Sequence, residues 1–146
     1  MDDMIELLKG VEFFDGLTEA ELRRVAGICR ELKYRKGDLI TAQGEEGEEM
    51  YIVRDGLVEV AIGEGGAAPR TVVNLGTGQV VGEMALVDRG PRSATVRCVT
   101  DATMNVIERD AFEKLCQGDH HIGMIVYRNL AADLSFKLRH RHLSRR

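Results

Sequence analysis

The sequence predicts a mainly β domain flanked by helices, and three observations carry that reading. Apolar residues recur at helical spacing up to about residue 30, at a period of two from Tyr34, and at helical spacing again after Asp110. The middle stretch breaks into short apolar runs punctuated by Gly37, Gly44, Gly56, Gly65, Gly66, Gly76 and Gly78. Many short strands with regular turns indicate a closed or double-sheet antiparallel architecture.

At 146 residues the chain has room for one domain with a single core and little else. Residues 1–32 read as an N-terminal helical segment, 33–109 as the β region and 110–142 as C-terminal helices. Met4 to Leu8 form a short helical lead-in. Thr18 followed three residues later by Glu21 is a capping box, with Leu17 and Leu22 placed for a hydrophobic staple. Leu22, Val25, Ala26 and Cys29 continue at helical spacing, so an amphipathic packing helix is expected over 19–30.

Met50 to Val53 and Leu57 to Val60 flank Arg54-Asp55-Gly56, which predicts a β-hairpin. Further strands are expected at 38–42, 71–75, 94–99 and 102–108. Asp110 reads as the cap of a helix over 110–116. A long helix over about 120–142 places Ile122, Val126, Leu130, Leu134 and Leu138 four apart on one stripe. Glu45, Glu46, Glu48 and Glu49 read as a solvated loop. Lys137, Arg139, His140, Arg141, His142, Arg145 and Arg146 form a basic tail whose cations suit a helix C-terminus.

The chemistry concentrates in Gly82-Glu83-Met84-Ala85-Leu86, six intervening residues, and Ser93-Ala94-Thr95-Val96, with Pro91-Arg92 just ahead. This is an anion cradle. The backbone N–H groups of Glu83, Met84 and Ala85 would be free donors at the start of a short helical turn, where partial positive charge favours a phosphate. Gly82 lets backbone approach the ligand, and Arg92 can add a bidentate, charge-assisted pair of bonds. Glu83 would repel a phosphate, so its place there makes sense if the ligand also offers a hydroxyl, as a ribose does. A phosphate beside a ribose points to a nucleotide.

Those residues at that spacing closely resemble the phosphate-binding cassette of cyclic nucleotide-binding domains, and the likeness runs from about Phe13 to Leu138. It implies a single domain over 1–146, built as an antiparallel β-roll of jelly-roll type, with the cassette at 82–95 as a short helix between strands. It implies a ligand site at Gly82, Glu83, Met84, Ala85, Arg92 and Ser93, with Glu83 on the ribose 2′-hydroxyl and Arg92 on the phosphate. The expected ligand is cAMP, with cGMP the alternative. Alanine at position 93 tends to go with cAMP in the family and threonine with cGMP, and the serine found here does not settle the base. The C-terminal half of the last helix is expected to act as a moving lid over the base or as a homodimer seam, with Leu130, Leu134 and Lys137 as lid candidates. Departures are Val81 and Gln79, where phenylalanine and aspartate are frequent, and Asp133, near where some channel domains set an arginine against the base.

Other classes fit less well. The net charge of −4 argues against a surface that grips nucleic acid throughout. No run of 18 or more apolar residues exists to span a membrane. The acidic start Met1-Asp2-Asp3 and three unpaired cysteines (Cys29, Cys98, Cys116) point to a cytoplasmic protein. Gly76, Gly78 and Gly82 lack the dinucleotide fingerprint spacing. All four histidines (His120, His121, His140, His142) fall after the predicted roll, so no cupin-type metal set is expected. No nucleophile–base pair stands out, which predicts a binding module without cofactor or catalytic residues. The chain stops at Arg146 with no helix-turn-helix, so direct DNA binding is not expected. The remaining alternatives are a ligand-sensing piece of a larger transcription regulator or channel, and a structural roll that binds nothing.

Overall fold

A computed structural model of the chain describes residues 2–63, 68 and 70–140. Gly65, Gly66 and the tail residues Arg141, His142, Arg145 and Arg146 lie outside the described residues. Helix α1 (Asp2–Lys9) leads through a 3-10 turn (Glu12–Phe14) to α2 (Glu19–Gly27). Eight strands follow: β1 (Arg30–Tyr34), β2 (Leu39–Thr41), β3 (Glu49–Asp55), β4 (Val58–Ile62), β5 (Arg70–Leu75), β6 (Val80–Val81), β7 (Thr95–Cys98) and β8 (Ala102–Glu108). A second 3-10 turn, Glu83–Leu86, sits between β6 and β7, and α3 (Arg109–Gly118) and α4 (His120–Arg139) close the chain.

The strands form two antiparallel sheets in the orders β1-β8-β3-β6 and β2-β7-β4-β5. This is the mainly β roll with flanking helices that the sequence predicted. Between the sheets lie Tyr51, Val53, Val58, Val81, Val96, Met104 and Val106. The opposite face of the first sheet carries a second cluster, in which Met50, Ile52 and Ile107 meet Leu8, Leu22, Val25, Phe112, Ile122, Val126 and Leu130 from the helices. Strand β3 is therefore buried on both faces, which explains its unbroken apolar run from Met50 to Val53.

The hairpin predicted at Arg54-Asp55-Gly56 does not form. Strand β3 pairs with β6 and β8, whereas β4 pairs with β5 and β7 in the other sheet. The turn is real, but it switches sheets. Gly56 has φ +100, and a Cβ there would run into the Asp101 carbonyl and Ala102. Only glycine suits that crossing.

The capping box is as expected: Thr18 Oγ1 accepts from Glu21 N at 3.2 Å, and Thr18 N donates to Glu21 Oε1 at 2.9 Å. Helix α2 ends earlier than expected, at Gly27, and residues assigned to the helical segment supply β1, paired with β8 from Arg30 to Tyr34. An edge strand with only Leu32 and Tyr34 as apolar residues carries little signal of its own, and β8 supplies its template. Asp110 is not the cap of α3: the cap is Glu108, and its side chain makes no capping bond. Helix α4 is capped by Asp119, whose side chain accepts from Ile122 N. Glu49 is not loop either; it opens β3 and takes the Tyr51 hydroxyl. Among the described residues no helix is long and apolar enough to cross a membrane, and no group of three or more His, Cys, Asp or Glu side chains is placed to hold a metal.

Candidate functional site

The predicted cassette wraps one end of a cavity of about 370 Å³ that opens between the second sheet and α4. Gly82, Glu83, Met84, Ala85, Arg92 and Ser93 all line it, so the structure brings the six predicted site residues to one place. Its apolar lining is formed by Val60, Val73, Leu75, Val80, Val81 and Val96 from the strands.

Local chemistry explains the cassette's shape. Gly82 takes φ +76, and a Cβ there would collide with Arg92 Nη1 and sit 3.1 Å from the Glu49 carbonyl. The following turn is 3-10, closed by Ala85 N donating to Gly82 O at 3.0 Å. That bond corrects one expectation. The Ala85 N–H is already satisfied, whereas the N–H groups of Glu83 and Met84 have no protein partner among the described residues. Leu86 and Ala85 are buried beneath the turn and fix its depth.

Arg92 is held by its backbone: its N–H donates to Glu45 O at 2.6 Å and its carbonyl accepts from Gly44 N at 2.9 Å. Glu46 and Pro91 form an isolated bridge beside it. The acidic loop thus works through its backbone, while the Glu45, Glu46 and Glu48 side chains stay exposed as expected. Among the described residues the Arg92 guanidinium makes no hydrogen bond or ion pair; it lies between Gly47 and Gly82 with the Tyr51 ring 5.7 Å from Cζ. A Cβ at Gly47 would stand 3.0 Å from Arg92 Nε. An unpaired guanidinium lining a part-enclosed cavity is unspent charge.

Glu83 faces the other way, toward α4. Its Oε1 is 3.6 Å from Lys137 Nζ, which also meets Asp133 Oδ2 at 2.9 Å. Burial alone would lower the Lys137 pKa, but the Asp133 hydrogen bond and the Glu83 charge outweigh it and push it up. Of the three lid candidates only Lys137 lines the cavity. Leu130 is 2% exposed and packed in the helical core on the far side of the first sheet, so it cannot close over a ligand. Leu134 is half-buried and not among the cavity-lining residues.

Two residues that sequence reading passed over organise the site. Gly47 clears space for Arg92. Arg109, 4% exposed at the start of α3, reaches three carbonyls through Nη1: Gly47 O at 3.0 Å, Asp88 O at 3.1 Å and Ala85 O at 3.3 Å. It ties both walls of the cassette to the helix that leads into α4. An arginine directly after an apolar strand was the available signal, but on sequence alone it looks like any charged residue opening a helix.

The cyclic nucleotide-binding domain profile matches residues 31–119, which takes in β1 to α3 and the whole cassette. A cyclic AMP receptor protein of Thermus thermophilus is 32% identical over 132 residues, covering 90% of this chain and 59% of that protein. The regulatory subunit of cAMP-dependent protein kinase from Dictyostelium discoideum is 30% identical over 102 residues, covering 70% of this chain and 31% of its own length. Among solved structures, the Thermus thermophilus catabolite activator protein superposes with a TM-score of 0.80 at 32% identity, covering 91% of this chain and 61% of that one. With the cassette intact and the roll matched throughout, the chain belongs to the cyclic nucleotide-binding domain family. It spans less than two thirds of each of these relatives.

Proposed function

We propose that this chain is a cyclic nucleotide sensor that prefers cAMP to cGMP and reports binding through α4. The observation that carries the reading is Arg92, whose guanidinium has no hydrogen bond or ion pair among the described residues and lines a cavity shared by the cassette and by valine and leucine side chains. The phosphate would take Arg92 and the N–H groups of Glu83 and Met84, with Ser93 in reach as an added donor. Glu83 would accept from the ribose 2′-hydroxyl, and the base would lie on the apolar lining. These steps bind and orient a ligand and transform nothing, which suits a binding module and not an enzyme.

Lys137 is the lid residue in this reading, since it already reaches Glu83 across the cavity. Bound nucleotide would draw the cassette inward, Arg109 would carry the shift to α3, and α4 would close. A switch requires tighter binding to the closed state than to the open one. Moving from 1:99 to 99:1 takes about 5.5 kcal/mol of differential affinity. Output would pass to an effector, in a longer regulator or in a second copy of the chain docked on the exposed end of α4.

Calorimetric titration with cAMP, cGMP and 5′-AMP tests the reading. Binding of a cyclic nucleotide but not of 5′-AMP supports it, and no binding of either overturns it. Arg92→Ala should lose roughly 2–5 kcal/mol of binding with the fold retained, as when one partner of a buried charge pair is truncated. Glu83→Ala should weaken cAMP more than its 2′-deoxy analogue, and equal losses would remove Glu83 from the ribose.

A further inference from the structure

A long arginine side chain carries about 2 kcal/mol of rotamer entropy, so something must hold Arg92 in the orientation that serves the cavity. No hydrogen bond or ion pair does so among the described residues. A carboxylate partner would be a poor choice, because it would cancel the charge that a phosphate needs. An aromatic face attracts a guanidinium and leaves its charge in place. Tyr51 offers that face, with its ring centroid 5.7 Å from Arg92 Cζ.

The ring itself is fixed. Tyr51 is 4% exposed on β3, in the cluster between the sheets. Its hydroxyl donates to Glu49 Oε1 at 2.7 Å, and Glu49 Oε2 is 3.3 Å from Arg30 Nη2, which also pairs with Glu108 at 2.8 Å. The Glu49 carboxylate, two residues before Tyr51 on the same strand, is thus engaged by Tyr51 and Arg30. The Tyr51 phenol is pushed well above the ordinary tyrosine range by burial and by its bond to Glu49, so it stays a neutral donor. Gly47 and Gly82 clear the flanks, and the Tyr51 ring offers the guanidinium an aromatic face.

We infer that Tyr51 is the positioning residue of the phosphate anchor, holding Arg92 over its ring face in the binding orientation while Glu49 and Arg30 lock the ring. This rests on the cyclic nucleotide reading above. It makes affinity depend on the electron density of a side chain that does not line the cavity.

Replacing Tyr51 by phenylalanine and then by mono-, di- and trifluorinated phenylalanines keeps the shape of the ring and withdraws charge from its face. Titrated with cAMP, the series should weaken stepwise by about 2- to 30-fold in total, the cation–π range converted at tenfold per 1.4 kcal/mol. In the Arg92→Ala background the same series should be flat. Tyr51→Leu, with no π face, should fall at or below the trifluorinated end, and a loss of folding in that variant leaves the fluorinated series as the deciding measurement. A flat series on the unmodified background, with cAMP binding intact, overturns the role of Tyr51 alone. Failure of the unmodified chain to bind either cyclic nucleotide overturns the reading beneath it. A merely structural tyrosine would shift melting temperature across the series and leave affinity in place.

Discussion

The two halves of α4 carry the same apolar spacing and meet opposite fates. Ile122, Val126 and Leu130 are fully buried in the helical cluster, where α4 packs on α3 and on the 3-10 turn Glu12–Phe14. Leu134 is half-buried, Leu138 is 68% exposed, and Phe136 beside it is 62% exposed. The first half is anchored further by polar pairs. Arg24 from α2 pairs with Asp119, His121 Nδ1 lies 2.6 Å from Glu21 Oε2, and Asn129 Nδ2 donates to the carbonyls of Phe13 and Asp15 at 3.0 and 2.9 Å. In the second half Lys137 pairs with Glu83 of the cassette. Periodicity marks an apolar face; what covers it depends on where the body of the domain ends. Helix α4 is therefore packed along its first half and largely exposed along its second.

The contrast can be broken most directly at Leu130. Leu130→Ala should cost about 2–5 kcal/mol, the range for a buried leucine, measured as a shift in urea midpoint at constant m-value. A loss under 1 kcal/mol would mean that the first half is not rooted as described.

Next comes Glu21, which both closes the capping box and meets His121. Burial would raise its carboxyl pKa, but the Thr18 N–H and the His121 and Thr18 side chains outweigh burial and hold it below the ordinary glutamate value. The folded value lies under the unfolded one of about 4.3. Glu21 therefore stabilises the fold above the unfolded value, and that contribution is lost as pH falls through the folded one. Glu21→Gln should lose roughly 1 kcal/mol at pH 7. Thermal melts of mutant and parent taken to pH 3 should converge, and a constant gap across that range would refute the account.

Lys137→Ala removes an ion pair whose side chains are 55% and 21% exposed, so stability should change by less than about 1 kcal/mol. Its effect should appear in nucleotide affinity instead, and equal affinity would take Lys137 out of the lid. Leu138→Ala is the smallest case. Folding stability should stay within about 0.5 kcal/mol. Sedimentation of the same variant then tells whether the exposed end of α4 serves a second copy: unchanged association would rule out a seam through Leu138.

Much of this molecule can be read without coordinates wherever the determinants are local. The capping box needs four consecutive residues, the cassette needs glycine, acid and arginine at fixed spacing, and the strand signal of β8 needs only its own seven residues. The failures share one cause. Asp55-Gly56 has the chemistry of a hairpin turn, yet β3 spends both edges on β6 and β8, so the chain must cross to the other sheet. Strand β1 has too few apolar residues to announce itself until β8 lies alongside.

Residue type and spacing determined the family, the fold class and the six residues that line one cavity, because each rests on short-range geometry that the backbone repeats wherever it occurs. The tertiary structure decided which half of α4 is buried, that Leu130 faces the core while Lys137 reaches the cavity, and that Arg109, Gly47 and Tyr51 arrange the site. Those outcomes depend on groups brought together from distant parts of the chain, such as the carbonyls of Gly47, Ala85 and Asp88 on one guanidinium. No local pattern encodes such a meeting; packing does.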